Sequence, residues 1–225
     1  MGFEEIVGGV FLVGSPDMSD PRDCCVYVVD VGVPVMIDTG AGESYHTLRD
    51  AVVDAGFPSP AIHTIILTHC HIDHIGSAHR FQQEFGTRVV AHIDDADAIE
   101  QGDPQLTASR WYGMDAPPTR VDLRVQGDHV LEFPKGRLLC IHTPGHTPGS
   151  LAVLYDTGKE KVLFGQDIHG PFSRTFRSDT SQWASSMRRL ITYEADILCE
   201  GHFGIFRPSD RVKQYIQGYL KQYGF

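Results

Sequence analysis

The amino-acid sequence predicts an α/β protein in which two sheets pack together and helices cover their outer faces. Two observations support this class: short apolar runs with the length of strands recur along the chain, and segments with the 3.6-residue periodicity of helices interrupt them. At 225 residues with 41% hydrophobic content, the chain can bury the core of one domain but hardly of two. We therefore expect a single domain over residues 1–225.

The predicted strands are apolar runs separated by turn-forming residues. They cover residues 9–13, 25–31, 34–37, 62–67, 88–91, 130–133, 137–141, 151–155, 161–164 and 196–199. The spacing of apolar residues predicts helices over residues 43–55, 75–85 and 180–190. A last helix follows the cap candidate Ser209. Its apolar face consists of Val212, Tyr215, Ile216, Tyr219, Leu220 and Tyr223.

A cluster of possible metal ligands directly follows one predicted strand. Along an extended chain, residues two apart point the same way, so His69 and His71 can hold one ion while Cys70 points elsewhere. Asp73 and His74 begin the next element and can reach a second ion. Packing imidazoles and a carboxylate together is costly unless something satisfies them, and a metal does so. Ligands of this type suit zinc or iron.

Three later residues repeat this placement at strand ends, each with a glycine nearby. His146 lies in a turn-rich segment between two predicted strands, Asp167 follows the strand at 161–164, and His202 follows the strand at 196–199. Binding and catalytic sites are usually built on loops that a rigid sheet holds. We therefore expect these residues to complete the ligand set of the first cluster.

Taken in order, these motifs resemble the metallo-β-lactamase superfamily. The resemblance rests on Thr-His-x-His-x-Asp-His at 68–74, Pro144-Gly145-His146-Thr147, Gly165-Gln166-Asp167 and Gly201-His202, preceded by Ile37-Asp38-Thr39-Gly40. It implies an αββα sandwich, with two mixed sheets flanked by helices.

The resemblance also implies a ligand set for two divalent metal ions, with zinc expected first and iron or manganese possible. The implied ligands are His69, His71 and His146 for one metal, Asp73, His74 and His202 for the second, and Asp167 as the bridge between them. Asp38 would orient its neighbours near the metals. Asp73 would also orient the attacking water or pass a proton to the leaving group. Ordinary roles are expected for the other histidines, which are His46, His63, His79, His92, His129, His142 and His169.

Two adjacent metals favour hydrolysis of an acyl bond. A bridging water acidified to a pKa of about 7 supplies hydroxide as the nucleophile, while one metal polarises the carbonyl under attack. Residues 144–150 are most similar to the glyoxalase II-like group, whose members hydrolyse hydroxyacyl thioesters of glutathione. We therefore expect a hydrolase of a small-molecule acyl thioester or related ester. The segment after His202 is too short for the helical domain that supplies glutathione contacts in full-length glyoxalase II, so another ester, such as an acyl-homoserine lactone, stays open.

Two alternatives belong to other classes of protein. The motif at 68–74 also resembles the persulfide dioxygenases, in which the equivalents of His69, His146 and Asp167 hold a single iron and oxygen oxidises a thiol persulfide. The second group of ligands would then be structural. A metal-stabilised binding protein without turnover is disfavoured, because a structural role does not require two metals.

Charge and cysteine content limit the expected partners and location. A formal net charge of −10 argues against a nucleic-acid surface. The five cysteines form an odd set without Cys-x-x-Cys spacing, which fits reduced thiols in a cytosol. The sequence opens without a basic region before an apolar stretch, and nowhere do about eighteen apolar residues run together. We expect a cytoplasmic protein without a membrane partner, with an oligomer possible.

Two segments are expected to shape a substrate pocket. Residues 102–120 carry Trp111 and Tyr112 among glycines and prolines, and would overhang the metals as a loop or short helix. The alternative is a surface insertion whose aromatic residues pack down. Residues 172–177 form a second candidate wall, where Arg174 or Arg177 would either bind an anionic substrate group or remain solvated.

Overall fold

The computed structural model describes residues 2–225 and contains two β-sheets. The first sheet has seven strands in chain order, antiparallel from β1 to β4 and parallel from β4 to β7. They are β1 (Glu4–Val7), β2 (Val10–Gly14), β3 (Val26–Asp30), β4 (Pro34–Ile37), β5 (Thr64–Ile66), β6 (Arg88–His92) and β7 (Leu123–Val125).

The second sheet has six strands in the order β13-β12-β11-β10-β9-β8, and only β11 and β12 pair in parallel. They are β8 (His129–Phe133), β9 (Gly136–His142), β10 (Leu151–Asp156), β11 (Lys161–Phe164), β12 (Ile197–Cys199) and β13 (Ile205–Phe206). Both sheets are therefore mixed.

The helices lie on the outer faces of the sheets. They are α1 (Tyr45–Asp54), α2 (Ile72–Ile75), α3 (Ala78–Phe85), α4 (Ile93–Gln101), α5 (Ser109–Tyr112), α6 (Thr180–Ile191) and α7 (Ser209–Gln222), with a 3-10 turn at Arg174–Phe176. Buried side chains form three apolar layers: one between the sheets, one under α1, α3 and α4, and one under α6 and α7. This arrangement confirms the predicted αββα sandwich.

Several predicted boundaries differ from the structure. The helix predicted over 75–85 is divided between α2, which ends at Ile75, and α3, which begins at Ala78. Gly76 lies between them, where a side chain would collide with the backbone of Ala41. Helix α7 has Pro208 as its N-cap, and the cap candidate Ser209 is its first residue. The predicted face of α7 does pack inward through Val212, Ile216 and Leu220.

Helix α4 was not predicted from the sequence. Its first turn carries Asp94 and Asp95, which suit a helix N-terminus, but the segment has few large apolar residues to show a helical period. It forms because Ala96 and Ile99 bury against the first sheet and the ring of His92 accepts a hydrogen bond from the Asp94 N–H at 3.3 Å. Strands β1, β7 and β13 were also missed, since they are short strands of two to four residues with polar neighbours.

Within residues 2–225, no helix combines the length and the apolar character that crossing a bilayer requires. The cysteines are all buried as free thiols.

Candidate metal centre

The seven predicted ligands meet where loops leave the ends of strands in both sheets. His69 and His71 follow β5, and α2 then presents Asp73 and His74 from its first turn. The remaining three are His146 between β9 and β10, Asp167 after β11, and His202 after β12. Six of the seven are buried, and His202 is partly exposed.

The first group consists of three histidines and one oxygen of Asp167. Nδ1 of His71 lies 3.1 Å from Nε2 of His69 and 2.9 Å from Nε2 of His146. Oδ2 of Asp167 lies 3.6 Å from Nε2 of His69 and 3.2 Å from Nε2 of His146. One donor atom from each of the four residues therefore faces a common point.

The second group uses the other oxygen of Asp167. Oδ1 lies 3.3 Å from Nε2 of His74 and 3.2 Å from Nε2 of His202. Oδ2 of Asp73 lies 3.6 Å and 3.4 Å from the same two nitrogens. Asp167 thus directs one carboxylate oxygen to each group.

The donor atoms fit a pair of cations. Nε2 of His74 and Oδ1 of Asp167 are buried without a hydrogen-bond partner, and such an unpaired atom costs about 1–3 kcal/mol. Burial lowers the pKa of His69 and His71, which favours the neutral imidazoles that bind metals. Burial opposes ionisation of Asp167, but His74 and the other imidazoles hold its pKa well below the ordinary value. Neutral imidazoles with an ionised carboxylate form a typical zinc ligand set.

Asp38 orients the second group without joining it. Its Oδ2 accepts hydrogen bonds from Nδ1 of His74 at 2.7 Å and from Nε2 of Gln166 at 2.8 Å, and its carboxylate also accepts the N–H and hydroxyl of Thr68, both at 2.7 Å. The bond to His74 leaves Nε2 free to face Asp167. Asp38 has a φ of 59°, a backbone conformation that costs a non-glycine residue about 1–3 kcal/mol. These hydrogen bonds hold it there.

Cys70 points away from both groups. Its side chain is buried, and Sγ donates to the carbonyl oxygen of Leu106 at 3.3 Å. This orientation agrees with the alternation expected between His69 and His71.

Two supporting residues were missed from the sequence. Asp95 on α4 accepts hydrogen bonds from the N–H of Cys70 at 3.0 Å, the hydroxyl of Thr147 at 2.7 Å and the N–H of Gly149 at 2.9 Å. It therefore ties the loop of His69 to the loop of His146. The sequence offers no local signal for this role, because the three contacts lie far from Asp95 along the chain.

The other missed residue is Glu200, which precedes the Gly201-His202 motif and is fully buried. Its Oε2 accepts hydrogen bonds from the N–H groups of His202 at 2.7 Å and Phe203 at 2.9 Å, so it shapes the loop that carries His202. Its Oε1 lies 2.9 Å from Nδ1 of His169. An acidic residue directly before a ligand motif was the signal that the sequence offered.

A cavity of about 390 Å³ opens on the two groups. Its lining includes Trp111 and Tyr112 of α5, so the segment at 102–120 contributes a wall. The indole of Trp111 is 59% exposed and packs on Phe176, with 4.5 Å between ring centroids. Phe176 in turn lies 4.4 Å from the ring of His71. Among the described residues, neither arginine of the 172–177 segment lines this cavity.

A mixed αββα sandwich with a histidine and aspartate centre at the strand ends defines a class of metal-dependent hydrolases. The sequence model of the metallo-beta-lactamase superfamily matches residues 20–202, and the chain belongs to this superfamily of hydrolases.

Several relatives cover most of the chain. It is 29% identical to the uncharacterized protein YobT of Bacillus subtilis, over 86% of this chain and 88% of that protein. It is 28% identical to the acyl-coenzyme A thioesterase MBLAC2 of Bos taurus, over 84% of this chain and 76% of that protein. The probable metallo-hydrolase YflN of Bacillus subtilis is 24% identical, over 75% and 74%.

Solved structures confirm the fold. A metallo-beta-lactamase from Cronobacter sakazakii superposes with a TM-score of 0.84 at 19% identity, covering 99% of this chain and 95% of that chain. The subclass B3 metallo-beta-lactamase BJP-1 of Bradyrhizobium japonicum gives 0.82 at 20% identity, covering 99% and 92%.

Proposed function

We propose that this protein is a dinuclear metal-dependent hydrolase that cleaves an acyl thioester or related ester in a glyoxalase II-like reaction. The observation that carries the proposal is the split of the Asp167 carboxylate, whose two oxygens face two separate groups of ligands. A site for a single iron does not require the second group, in which His74 and His202 converge on Asp167 and Asp73.

When bound, two divalent ions would lower the pKa of a water to about 7 and polarise the carbonyl under attack. Asp73 lines the cavity as a member of the second group, so it can orient that water or carry a proton to the leaving group. Trp111 and Phe176 form an apolar wall that would hold the acyl chain and exclude bulk water.

A thioester is the preferred substrate class for two reasons. The bovine and chicken relatives at 28% and 26% identity are named acyl-coenzyme A thioesterases. Residues 144–150 are similar to the glyoxalase II-like group. The proposal treats residues 1–225 as one catalytic domain acting on a small molecule, with zinc as the first choice of metal and no nucleic-acid or membrane partner. A cytoplasmic location remains a prediction from the cysteine pattern.

The test combines metal analysis with a substrate screen. Protein purified without chelators or metal-binding tags is analysed by inductively coupled plasma mass spectrometry and assayed on thioesters, esters and lactones. We expect about two zinc ions per chain and turnover of a thioester. His69→Ala and Asp167→Ala should lose metal and activity, whereas His46→Ala, which alters an exposed histidine of α1, should retain both.

Other results would redirect the assignment. One iron per chain, no hydrolysis, and oxygen consumption with glutathione persulfide would identify the persulfide dioxygenase instead. Turnover of acyl-homoserine lactones alone would identify a lactonase. An unchanged rate in Asp167→Ala would refute the assigned centre.

A further inference from the structure

His169 lies in the cavity wall beside the second group of ligands. The residue lines the cavity together with Asp73, Asp167 and His202. One of its ring nitrogens is within 4.8 Å of a carboxylate oxygen of Asp167 and of a ring nitrogen of His202. Its ring stands edge to face with Phe203, at 4.7 Å between centroids. A histidine with an expected ordinary role is therefore placed at the reacting end of the cavity.

A buried carboxylate fixes the orientation of this ring. Nδ1 of His169 lies 2.9 Å from Oε1 of Glu200, and a carboxylate can only accept, so Nδ1 carries the proton in this bond. Glu200 is itself held by two backbone N–H groups. The hydroxyl of Tyr223 donates to the carbonyl oxygen of His169 at 2.9 Å and anchors its backbone. In the neutral ring, Nε2 is then a hydrogen-bond acceptor with a fixed direction.

We propose that Nε2 of His169 contacts the substrate, accepting a hydrogen bond from an N–H or O–H group close to the scissile bond, and that Glu200 is the positioning residue for this contact. The inference rests on the function proposed above and narrows its substrate class to acyl compounds that carry such a donor. Much of the cavity wall is apolar, including Trp111, Phe176 and Phe203. A fixed hydrogen-bond acceptor can orient the substrate, which these apolar side chains cannot do.

A matched pair of substitutions separates substrate contact from structural support. In His169→Asn, the shorter amide retains a donor near the position of Nδ1 for Glu200 but has no atom at the position of Nε2. In His169→Gln, the longer amide places an oxygen near the position of Nε2 but has no donor at the position of Nδ1 for Glu200. Substrate contact predicts the greater loss of binding in His169→Asn. A purely structural role predicts the greater loss in His169→Gln.

The probes are two thioethers that contain no thioester or ester bond: S-butyl-N-acetylcysteamine, and its analogue in which a methylene group replaces the amide N–H. Their dissociation constants are measured by ligand-observed NMR with zinc-loaded protein. We expect the wild-type protein to bind the N–H compound about tenfold more tightly, the size of one good hydrogen bond. His169→Asn should abolish this preference and His169→Gln should retain part of it, with zinc content unchanged in both.

The proposal fails if the wild-type protein binds both thioethers equally or binds neither, a result that needs no variant. It also fails if His169→Asn retains the preference, or if this variant loses one zinc, since His169 would then be a metal ligand. Because these readouts measure binding, they are independent of turnover. A clear N–H preference without hydrolysis of any ester would overturn the proposed function and leave the contact of His169 intact. Hydrolysis of a thioester without the N–H preference would support the proposed function and overturn the contact.

Discussion

The two groups of ligands share Asp167 but differ in their surroundings. The first group is enclosed: His69, His71 and His146 are at most 4% exposed, and Phe176 packs against the ring of His71. The second group meets the cavity through Asp73 and His202, and the side chain of His202 is 20% exposed, whereas the first group meets the cavity only through His71. We therefore expect the first, enclosed group to hold a metal more tightly and the second, open group to be the one that meets the substrate.

The two groups also differ in the pKa of their histidines. Burial lowers the pKa of His69 and His71. Burial also disfavours the charged forms of His74 and His202, but neighbouring acidic groups, including Asp167, raise the pKa of both. Protons therefore compete with a metal more strongly at the open group.

The largest expected effect comes from removing one ligand from each group in turn. His202→Ala should retain about one metal per chain in the enclosed group while lowering kcat/KM by roughly 10²-fold or more, because the open group loses its metal. His69→Ala should disturb the enclosed group and leave less metal than His202→Ala. Metal analysis and kinetics measure both effects, with His46→Ala as the control. Equal metal contents in the two variants would contradict the division into an enclosed and an open group.

The enclosed group should also depend on Asp95. Replacing Asp95 with Ala leaves three hydrogen-bond donors without their acceptor, so we expect the free energy of unfolding to fall by about 3 kcal/mol. Chemical denaturation measures this change. Asp94→Ala is the matched control, because the neighbouring side chain is 53% exposed. A similar loss in the control would mean that the effect belongs to α4 as a whole.

Lowering the pH should empty the groups in sequence. The pKa of His74 and His202 is raised, so protonation of the open group begins above the ordinary imidazole value of about 6.5. The pKa of His69 and His71 is lowered, so these two histidines of the enclosed group are protonated only below that value. Metal content after dialysis at stepped pH should fall first to about one per chain and then to none. Loss of both metals in one step would contradict the predicted difference in pKa between the two groups.

The smallest effect is expected at the cavity wall. Trp111→Ala removes an exposed ring that touches Phe176 without contacting a proposed ligand directly, so substrate preference should shift by roughly three- to tenfold with metal content unchanged. Trp111→Phe should retain most of the wild-type preference. Kinetics on acyl chains of increasing length provide the measurement. An equal loss of activity on all substrates, together with a loss of bound metal, would indicate altered folding.

Much of the fold and of the ligand set follows from short-range patterns. Apolar runs predicted the central strands, since β-structure buries residues in local stretches. The spacing of His69, His71, Asp73 and His74 predicted their convergence, because side-chain direction along a strand end and the first helical turn is a local property. Helix α4 escaped prediction because its segment has few large apolar residues, and its burial against the first sheet is decided by tertiary packing.

By itself, the sequence predicted the two-sheet class, most of the strands and the residues that converge at the strand ends. Only the tertiary structure decided that the two oxygens of Asp167 face separate groups, and that Asp95 and Glu200 support these groups from buried positions. His169 and Glu200 are far apart in sequence, yet they meet because β11 and β12 lie side by side in parallel and the loops that follow them emerge together. Such contacts depend on strand pairing and burial, which local spacing does not encode.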